Sequence, residues 1–306
     1  MALSPNLRGA MFMVVSMAGF TCNDALIKLA SMHMNFGQVI LVRGLFATAL
    51  ITLLAWHQGA LKMPRLIFHP MIGLRVLGEL GGTIFFLIAL QHLPIANVSA
   101  VLQALPLAVT MGAALFLGEG VGWRRWLAIV AGFAGVMIIV RPGFEGFNVF
   151  ALSALVSVAF CALRDLATRR LPPHVPSLLV SAVTATVIML CGAVLITPLG
   201  GWTPMEFEYI ALLGLAAVLV LVGYQFVIMS MRTGDISFIA PFRYTALLWA
   251  IVLGYLIFGD VPDIAMIVGA TIIVGSGLYT LYREQVAGKT APAAQSTGPA
   301  MAPDGI

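Results

Sequence analysis

The chain alternates long apolar runs with short polar breaks, and ten of these runs are long enough to cross a bilayer. A helix needs roughly 20 consecutive apolar residues to span the hydrocarbon core. Inside hydrocarbon the backbone must satisfy its own hydrogen bonds, so runs of this length are expected to be helical. The pattern predicts an all-α polytopic membrane protein with ten transmembrane helices at residues 9–30, 36–57, 70–90, 94–117, 123–140, 147–168, 177–197, 207–230, 236–258 and 262–282.

The two halves of the chain resemble each other at a shift of about 140 residues. Asp24 in the first span corresponds to Asp165 in the sixth, and Leu-Gly-Glu at 117–119 corresponds to Phe-Gly-Asp at 258–260. Five spans is an odd number, so the second copy would enter the membrane the opposite way up, as in secondary transporters that bind substrate between their halves. We therefore predict two inverted five-helix repeats and a disordered cytoplasmic tail, at residues 8–142, 143–284 and 285–306.

Composition supports a membrane protein. Hydrophobic residues make up 61% of the chain, charged residues 9%, and the mean hydropathy is +1.04. A soluble domain carries about 25% charged residues, so this chain has too little charge to solvate a globular surface. The net charge of +4 lies in short loops and not on one basic face, so no nucleic-acid partner is predicted.

The loop charges also predict an orientation. If the N-terminus is cytoplasmic, the opposite side of the membrane receives only Arg141 among the loop arginines and lysines. Positive residues concentrate in cytoplasmic loops, so both termini are predicted to be cytoplasmic. The residues that the cytoplasmic side would then hold are Arg8, Lys62, Arg65, Arg124, Arg125, Arg169, Arg170, Arg232, Arg283 and Lys289.

Charged side chains within the spans are scarce, and each costs about 2.5–3.5 kcal/mol near a helix centre if it has no partner. They must therefore face protein or water. Two pairs, Asp24 with Lys28 and Arg75 with Glu79, are four residues apart and share a helix face. Each pair is either a fixed internal ion pair or part of a polar pathway. The six charges singled out are Asp24, Lys28, Arg43, Arg75, Glu79 and Arg243.

Several of these residues suggest specific roles in transport. Glu79 is the coupling candidate, because carboxyl groups deep in a span form proton relays in transporters. Pro106 and Pro241 interrupt the fourth and ninth spans and are predicted hinges. The excess of basic over acidic residues among the six charges favours a substrate with negative character. The candidate substrate-binding or pathway residues are Asn23, Asp24, Arg43, Arg75, Glu79, Gln103, Arg243, Tyr244 and Trp249.

Signatures of other protein classes are missing from the sequence. Gly288-Lys289-Thr290 ends like a phosphate-binding loop, but the glycine required five residues earlier is Arg283. The five histidines form no zinc pattern and no nucleophile elbow occurs. We therefore expect no ATPase activity, no enzyme activity, no metal site and no cofactor.

The Leu-Gly-Glu at the end of the fourth span and the glycine-bearing fifth span that ends at Val140-Arg141-Pro142 resemble the drug/metabolite transporter superfamily, EamA-type branch. The resemblance covers residues 8–284 and implies ten helices and transport of a small metabolite. Asn23-Asp24-Ala25, the stretch 240–245 and the stretch 277–284 are similar to the bacterial riboflavin importers of this superfamily. They are somewhat less similar to its S-adenosylmethionine transporters.

These observations lead to one functional expectation with open alternatives. We expect a secondary carrier of a small polar metabolite in the bacterial inner membrane, working by alternating access, with riboflavin uptake as the first substrate assignment. Phe85, Gln103, Tyr244 and Trp249 are available for an aromatic and amide-lined pocket. S-adenosylmethionine, an amino acid or a nucleotide-like compound, imported or exported, remains open, as do a channel, an intramembrane enzyme and assembly as a homodimer in the lipid bilayer.

Overall fold

The computed structural model describes residues 4–59, 67, 69–141, 148–172, 175–233 and 236–286. Within these residues it confirms the prediction of ten apolar helices long enough to cross a membrane. Eight of them are single helices: α1 (Pro5–Ser31), α2 (Phe36–His57), α3 (Pro70–His92), α6 (Trp123–Val140), α7 (Val149–Arg169), α8 (Ser177–Ile196), α9 (Phe207–Thr233) and α12 (Ile264–Val286).

The fourth span is broken in its middle. It consists of α4 (Ile95–Leu102) and α5 (Leu105–Phe116), which are separated by a turn at Gln103 and Ala104. Pro106 is the second residue of α5, one of the first helical positions, where its missing N–H is tolerated. Its ring also restricts the backbone of Leu105, which follows the turn. The fourth span is therefore interrupted next to Pro106, as the sequence predicts. The role of Pro106 as a hinge stays a prediction.

The ninth span is more irregular. It runs from α10 (Ile236–Ile239) through a 3-10 turn (Ala240–Tyr244) that contains Pro241, into α11 (Thr245–Leu253) and a π-helical turn (Gly254–Phe258). Short 3-10 and π segments inside longer helices often mark functional or strained positions. Among the described residues, the fourth and ninth spans are thus the two whose helical hydrogen-bond pattern changes along their length.

The helices pack mainly across the two halves of the chain. The most extensive long-range contacts are those of α1 with α9, α3 with α7, α2 with α8, and α6 with α12. Glycines permit this close approach: a Cβ on Gly78 of α3 would lie 2.7 Å from the Arg164 nitrogen of α7, and one on Gly37 of α2 would lie 2.6 Å from the Ile196 nitrogen of α8. The halves therefore interlock and are not two separate five-helix bundles.

Some predictions fall partly or wholly outside the described residues. These include the boundary at 142/143, the loop charges Lys62, Arg65 and Lys289, and most of the predicted tail. Helix α12 continues to Val286, so residues 285 and 286 belong to the helix and not to the tail that the sequence assigned to them.

Candidate functional site

A charged cluster lies at the contact between α3 and α7. Glu79 Oε2 of α3 is 3.3 Å from Arg164 Nη1 of α7, and Arg164 Nη2 is 2.7 Å from Asp165 Oδ1. All three side chains are buried, with 3%, 0% and 6% exposed. Because each carboxylate contacts the same guanidinium, neither is left in hydrocarbon as an uncompensated charge.

The cluster bears on one of the two alternatives offered for Arg75 and Glu79, the fixed ion pair along α3. Glu79 pairs with Arg164 of another helix and not with Arg75, four residues away on its own helix. Arg75 donates hydrogen bonds to Thr168 (3.1 Å) and Thr184 (2.6 Å). A shared helix face allowed the i,i+4 pair, but the approach of α7 at Gly78 brings a better-placed partner to Glu79.

The sequence reasoning also left Arg164 and Asp165 out of its set of intramembrane charges. Both lie within the predicted sixth span and both are buried. The signal was present, since an Arg-Asp dipeptide inside an apolar run is as costly as the six charges that were counted. With them, the intramembrane charges become five basic and three acidic residues: Lys28, Arg43, Arg75, Arg164 and Arg243 against Asp24, Glu79 and Asp165.

A second polar group surrounds Arg43 of α2. Its guanidinium lies within electrostatic range of Asp24, Glu79 and the Tyr224 hydroxyl. The Asn23 side chain donates a 2.9 Å hydrogen bond to Asp24. Arg43 thus connects Asp24 of α1 with Glu79, and so with the cluster on α3 and α7.

A small cavity opens beside these two groups, with a volume of about 80 Å³. Helices α2, α3, α8 and α9 contribute its wall. Several of its residues form pairs that are 141 residues apart in the sequence, which is the shift that relates the two halves. The pairs are Ile40 with Ser181, Arg43 with Thr184, Glu79 with Val220, and Thr83 with Tyr224.

A larger hollow of about 560 Å³ is a poor site for a polar molecule. Arg170 is the one charged residue in its lining, and the other lining residues are apolar. Leu115 and Phe116 form part of its wall and are 61% and 73% exposed. Apolar side chains this exposed on a membrane helix face lipid, so we assign the hollow to the lipid-facing surface.

The remaining candidates lie around the site at different distances. Arg243 is within electrostatic range of Asp165, which joins the ninth span to the cluster. Tyr244 is buried and its ring packs against Gly277 of α12. Trp249 packs in an apolar cluster with Met17, and neither it nor Gln103 lines the small cavity. Phe85 stacks on Phe160, with ring centroids 5.7 Å apart.

Three further ion pairs in the described part of the chain join its two halves at helix ends. One is Arg141 with Asp263, and the other two correspond to each other in sequence. Lys28, at the end of α1, donates to the Leu93 carbonyl and lies 3.9 Å from Asp260. In the described part of the chain it pairs with Asp260 and not with Asp24, so the fixed ion pair, one of the two alternatives offered for Asp24 and Lys28, is not found. Arg169, at the end of α7, lies 2.9 Å from Glu119. We call these the Lys28 latch and the Arg169 latch.

The latches lie at opposite ends of the molecule. Successive spans reverse direction, so the C-terminal ends of the first and sixth spans are on opposite faces. The two latches also correspond in sequence, because Lys28 and Arg169 are 141 residues apart, as are Glu119 and Asp260. Each latch joins the first span of one half to the loop after the fourth span of the other half.

Comparison with known proteins identifies the family. The profile of the EamA-like transporter family matches residues 7–141 and again 149–282. An S-adenosylmethionine uptake transporter of Rickettsia felis is 26% identical over 293 residues, which covers 94% of this chain and 96% of the relative. A riboflavin transporter of Vibrio cholerae is 28% identical over 276 residues, covering 88% of this chain and 91% of the relative.

Other relatives extend the range of cargo and support the fold. The pseudopaline exporter CntI of Pseudomonas aeruginosa is 26% identical over 273 residues, covering 87% of this chain and 93% of the relative. A solved crystal structure superposes with a TM-score of 0.60 at 20% identity, covering 91% of this chain and 98% of that chain. With ten apolar helices and the family profile matched over both halves, this multi-pass membrane protein of bacterial type belongs to the EamA-like transporter family.

Proposed function

We propose that the protein is a secondary carrier that moves a small polar metabolite by alternating access, with substrate bound at the small cavity. The observation that carries this proposal is that charged and hydroxyl side chains from corresponding positions of the two halves meet around one cavity. Secondary transporters bind substrate at the interface between repeats, near the membrane midplane.

Corresponding hydrogen bonds support the inverted-repeat part of the proposal. The Ser16 hydroxyl of α1 donates to the Gly223 carbonyl of α9 at 2.7 Å, and the Ser157 hydroxyl of α7 donates to the Gly82 carbonyl of α3 at 2.8 Å. Ser16 and Ser157 are 141 residues apart, and so are Gly82 and Gly223. Each hydrogen bond is therefore the counterpart of the other when the first half is aligned with the second. Two inverted copies at residues 8–142 and 143–284 would require such a correspondence.

We propose that the cavity must widen before it can hold a metabolite. Pockets for small molecules measure roughly 300–1,000 Å³, whereas this cavity measures about 80 Å³. A metabolite would enter only after the halves separate at one end. We propose that the irregular fourth and ninth spans, with Pro106 and Pro241, absorb this movement, and that the two latches close the two ends.

The buried charges help to order the candidate substrates. Riboflavin, the first assignment from sequence, carries no formal charge, whereas S-adenosylmethionine carries a carboxylate, an ammonium and a sulfonium group. A site with Arg43, Glu79 and Asp24 in electrostatic contact suits a charged molecule better. We therefore propose S-adenosylmethionine first, in line with the nearly full-length Rickettsia relative, and riboflavin second, in line with the Vibrio relative.

Counterflow in proteoliposomes tests the proposed carrier function. Vesicles loaded with unlabelled S-adenosylmethionine should accumulate the labelled compound transiently and saturably, and vesicles loaded with riboflavin provide the second arm. Flux that neither saturates nor responds to internal substrate would indicate a channel. Chemical conversion of the compound by the purified protein would indicate an enzyme.

We expect the two latches to have opposite effects on access to the cavity. A partly exposed ion pair is worth up to about 1 kcal/mol, so Lys28→Gln should favour opening at the Lys28 end by up to roughly five-fold. Glu119→Gln should favour opening at the other end by a similar factor. The measurement is labelling of a Thr83→Cys reporter by an impermeant maleimide added to one face at a time, in a chain whose native cysteines are alanine.

Two variants act as controls for this experiment. Arg124→Gln removes an arginine near the Arg169 end without touching either latch and should leave labelling unchanged. The charge swap Lys28→Asp with Asp260→Lys should restore part of the labelling pattern of the unmodified latches, because it regains the ion pair but not the hydrogen bond to the Leu93 carbonyl. Increased labelling from the same face in both latch variants would contradict the assignment of one latch to each end.

A further inference from the structure

We propose that Arg43 is the subsite for an anionic oxygen group of the substrate, a carboxylate or a phosphate. This inference rests on the proposed carrier function and adds the substrate chemistry. It starts from the hydrogen bonding of the three arginines that lie nearest the cavity, Arg43, Arg75 and Arg164.

Two of these arginines already have protein partners. Arg164 is held by Asp165 and Glu79, and Arg75 donates to Thr168 and Thr184. Arg43 differs: its Nε is buried and has no hydrogen-bond partner in the described part of the chain. A buried donor without a partner costs free energy, so an acceptor supplied by a ligand would stabilise this position.

The surroundings of Arg43 can accommodate such an acceptor. Arg43 lines the cavity together with the side chains of Ser181, Thr184 and Tyr224. The Ser181 and Thr184 hydroxyls donate to the Ser177 and Val180 carbonyls, so the anion is assigned to the guanidinium of Arg43. The nearest carboxylate in the lining, Glu79, is held by Arg164, so its charge is largely compensated. A guanidinium group binds carboxylate or phosphate oxygens through paired, charge-assisted hydrogen bonds.

The formal charges of the whole site point the same way. Arg43, Arg75, Arg164 and Arg243 carry four positive charges, against three negative charges on Asp24, Glu79 and Asp165. The excess of one positive charge favours an anionic ligand group, and the more so where the side chains are shielded from water.

Matched pairs of compounds test the subsite without requiring transport. In each pair one member carries an anionic group that the other lacks: S-adenosylmethionine against its decarboxylated form, and flavin mononucleotide against riboflavin. The purified full-length chain in detergent is titrated with each compound, and the affinity is taken from the rise in melting temperature. We expect the anionic member of at least one pair to bind roughly ten-fold to one hundred-fold more tightly, as for hydrogen bonds to a charged group.

The Arg43→Gln variant should lose this preference while binding the other member of the pair as before. Arg43→Lys, which keeps the charge but not the planar fork, should retain part of it. Arg124→Gln is the matched control and should behave as the unmodified chain. A preference for S-adenosylmethionine over its decarboxylated form would indicate a carboxylate subsite. A preference for flavin mononucleotide over riboflavin would indicate a phosphate subsite.

Three outcomes would overturn the proposal: equal binding of both members in each pair, a preference that persists in Arg43→Gln, or no stabilisation by any of the four compounds. Failure of the carrier function has a different signature. Tight, Arg43-dependent binding without counterflow in proteoliposomes would retain the subsite and reject the carrier.

Discussion

Replacing Arg164 with glutamine is expected to destabilise the protein by about 3–5 kcal/mol, the cost of removing one partner from a buried ion pair. Glu79 and Asp165 are 3% and 6% exposed and both contact this guanidinium. The change leaves two carboxylates without their common counter-ion in a region that excludes water. Thermal unfolding in detergent, followed by the loss of monodisperse protein on size exclusion, measures the effect.

A second substitution separates charge from packing. Adding Glu79→Gln to the Arg164→Gln background removes one of the two stranded carboxylates, so the double variant should recover part of the lost stability. Residues that share a network show such non-additivity in double-mutant cycles. Arg124→Gln serves as the exposed arginine control. Strictly additive effects of the two substitutions would show that Arg164 does not stabilise Glu79.

Gly78→Ala should have the next largest effect, a loss of about 1–3 kcal/mol as for overpacking in a tight core. The added Cβ would lie 2.7 Å from the backbone nitrogen of Arg164 and 2.9 Å from its Cα. Since backbone atoms cannot rotate away, α3 and α7 must separate, and the contact between Glu79 and Arg164 lengthens.

Gly73→Ala on the same helix is the matched control, because a Cβ there meets nothing within 4 Å. Alanine has a higher helix propensity than glycine, so this variant should be as stable as the original or slightly more so. Melting temperatures of the two variants measure the difference. A Gly78→Ala protein as stable as Gly73→Ala would contradict the close contact between α3 and α7.

Hydropathy predicted the architecture well because the bilayer imposes a strong, local constraint. Ten runs of sufficient length gave ten helices, and Pro106 and Pro241 marked the two interrupted spans. The interruption near Pro106 follows from the proline itself, because its nitrogen cannot donate a helical hydrogen bond. Such features require no knowledge of which helices meet.

Partner choice within the site could not be predicted in the same way. The i,i+4 rule considers one helix at a time, so the ion-pair partners that it offered were Arg75 for Glu79 and Lys28 for Asp24. The structure pairs Glu79 with Arg164, 85 residues away, and Lys28 with Asp260. A search restricted to isolated charges also overlooked the hydroxyl groups of Thr184 and Tyr224, which line the cavity. The repeat shift was the available signal, because it relates Thr184 to Arg43 and Asp260 to Glu119.

The two halves contribute different chemistry to the cavity wall. Arg43 and Glu79 belong to the first half, and their counterparts in the second half are Thr184 and Val220. An assembly of two identical halves would place two guanidinium groups, or none, around the same 80 Å³ space. Two like charges so close would repel each other in a medium of low dielectric constant. Joining both halves in one polypeptide removes that restriction, because each half can then diverge, one supplying ionic contacts and the other neutral ones.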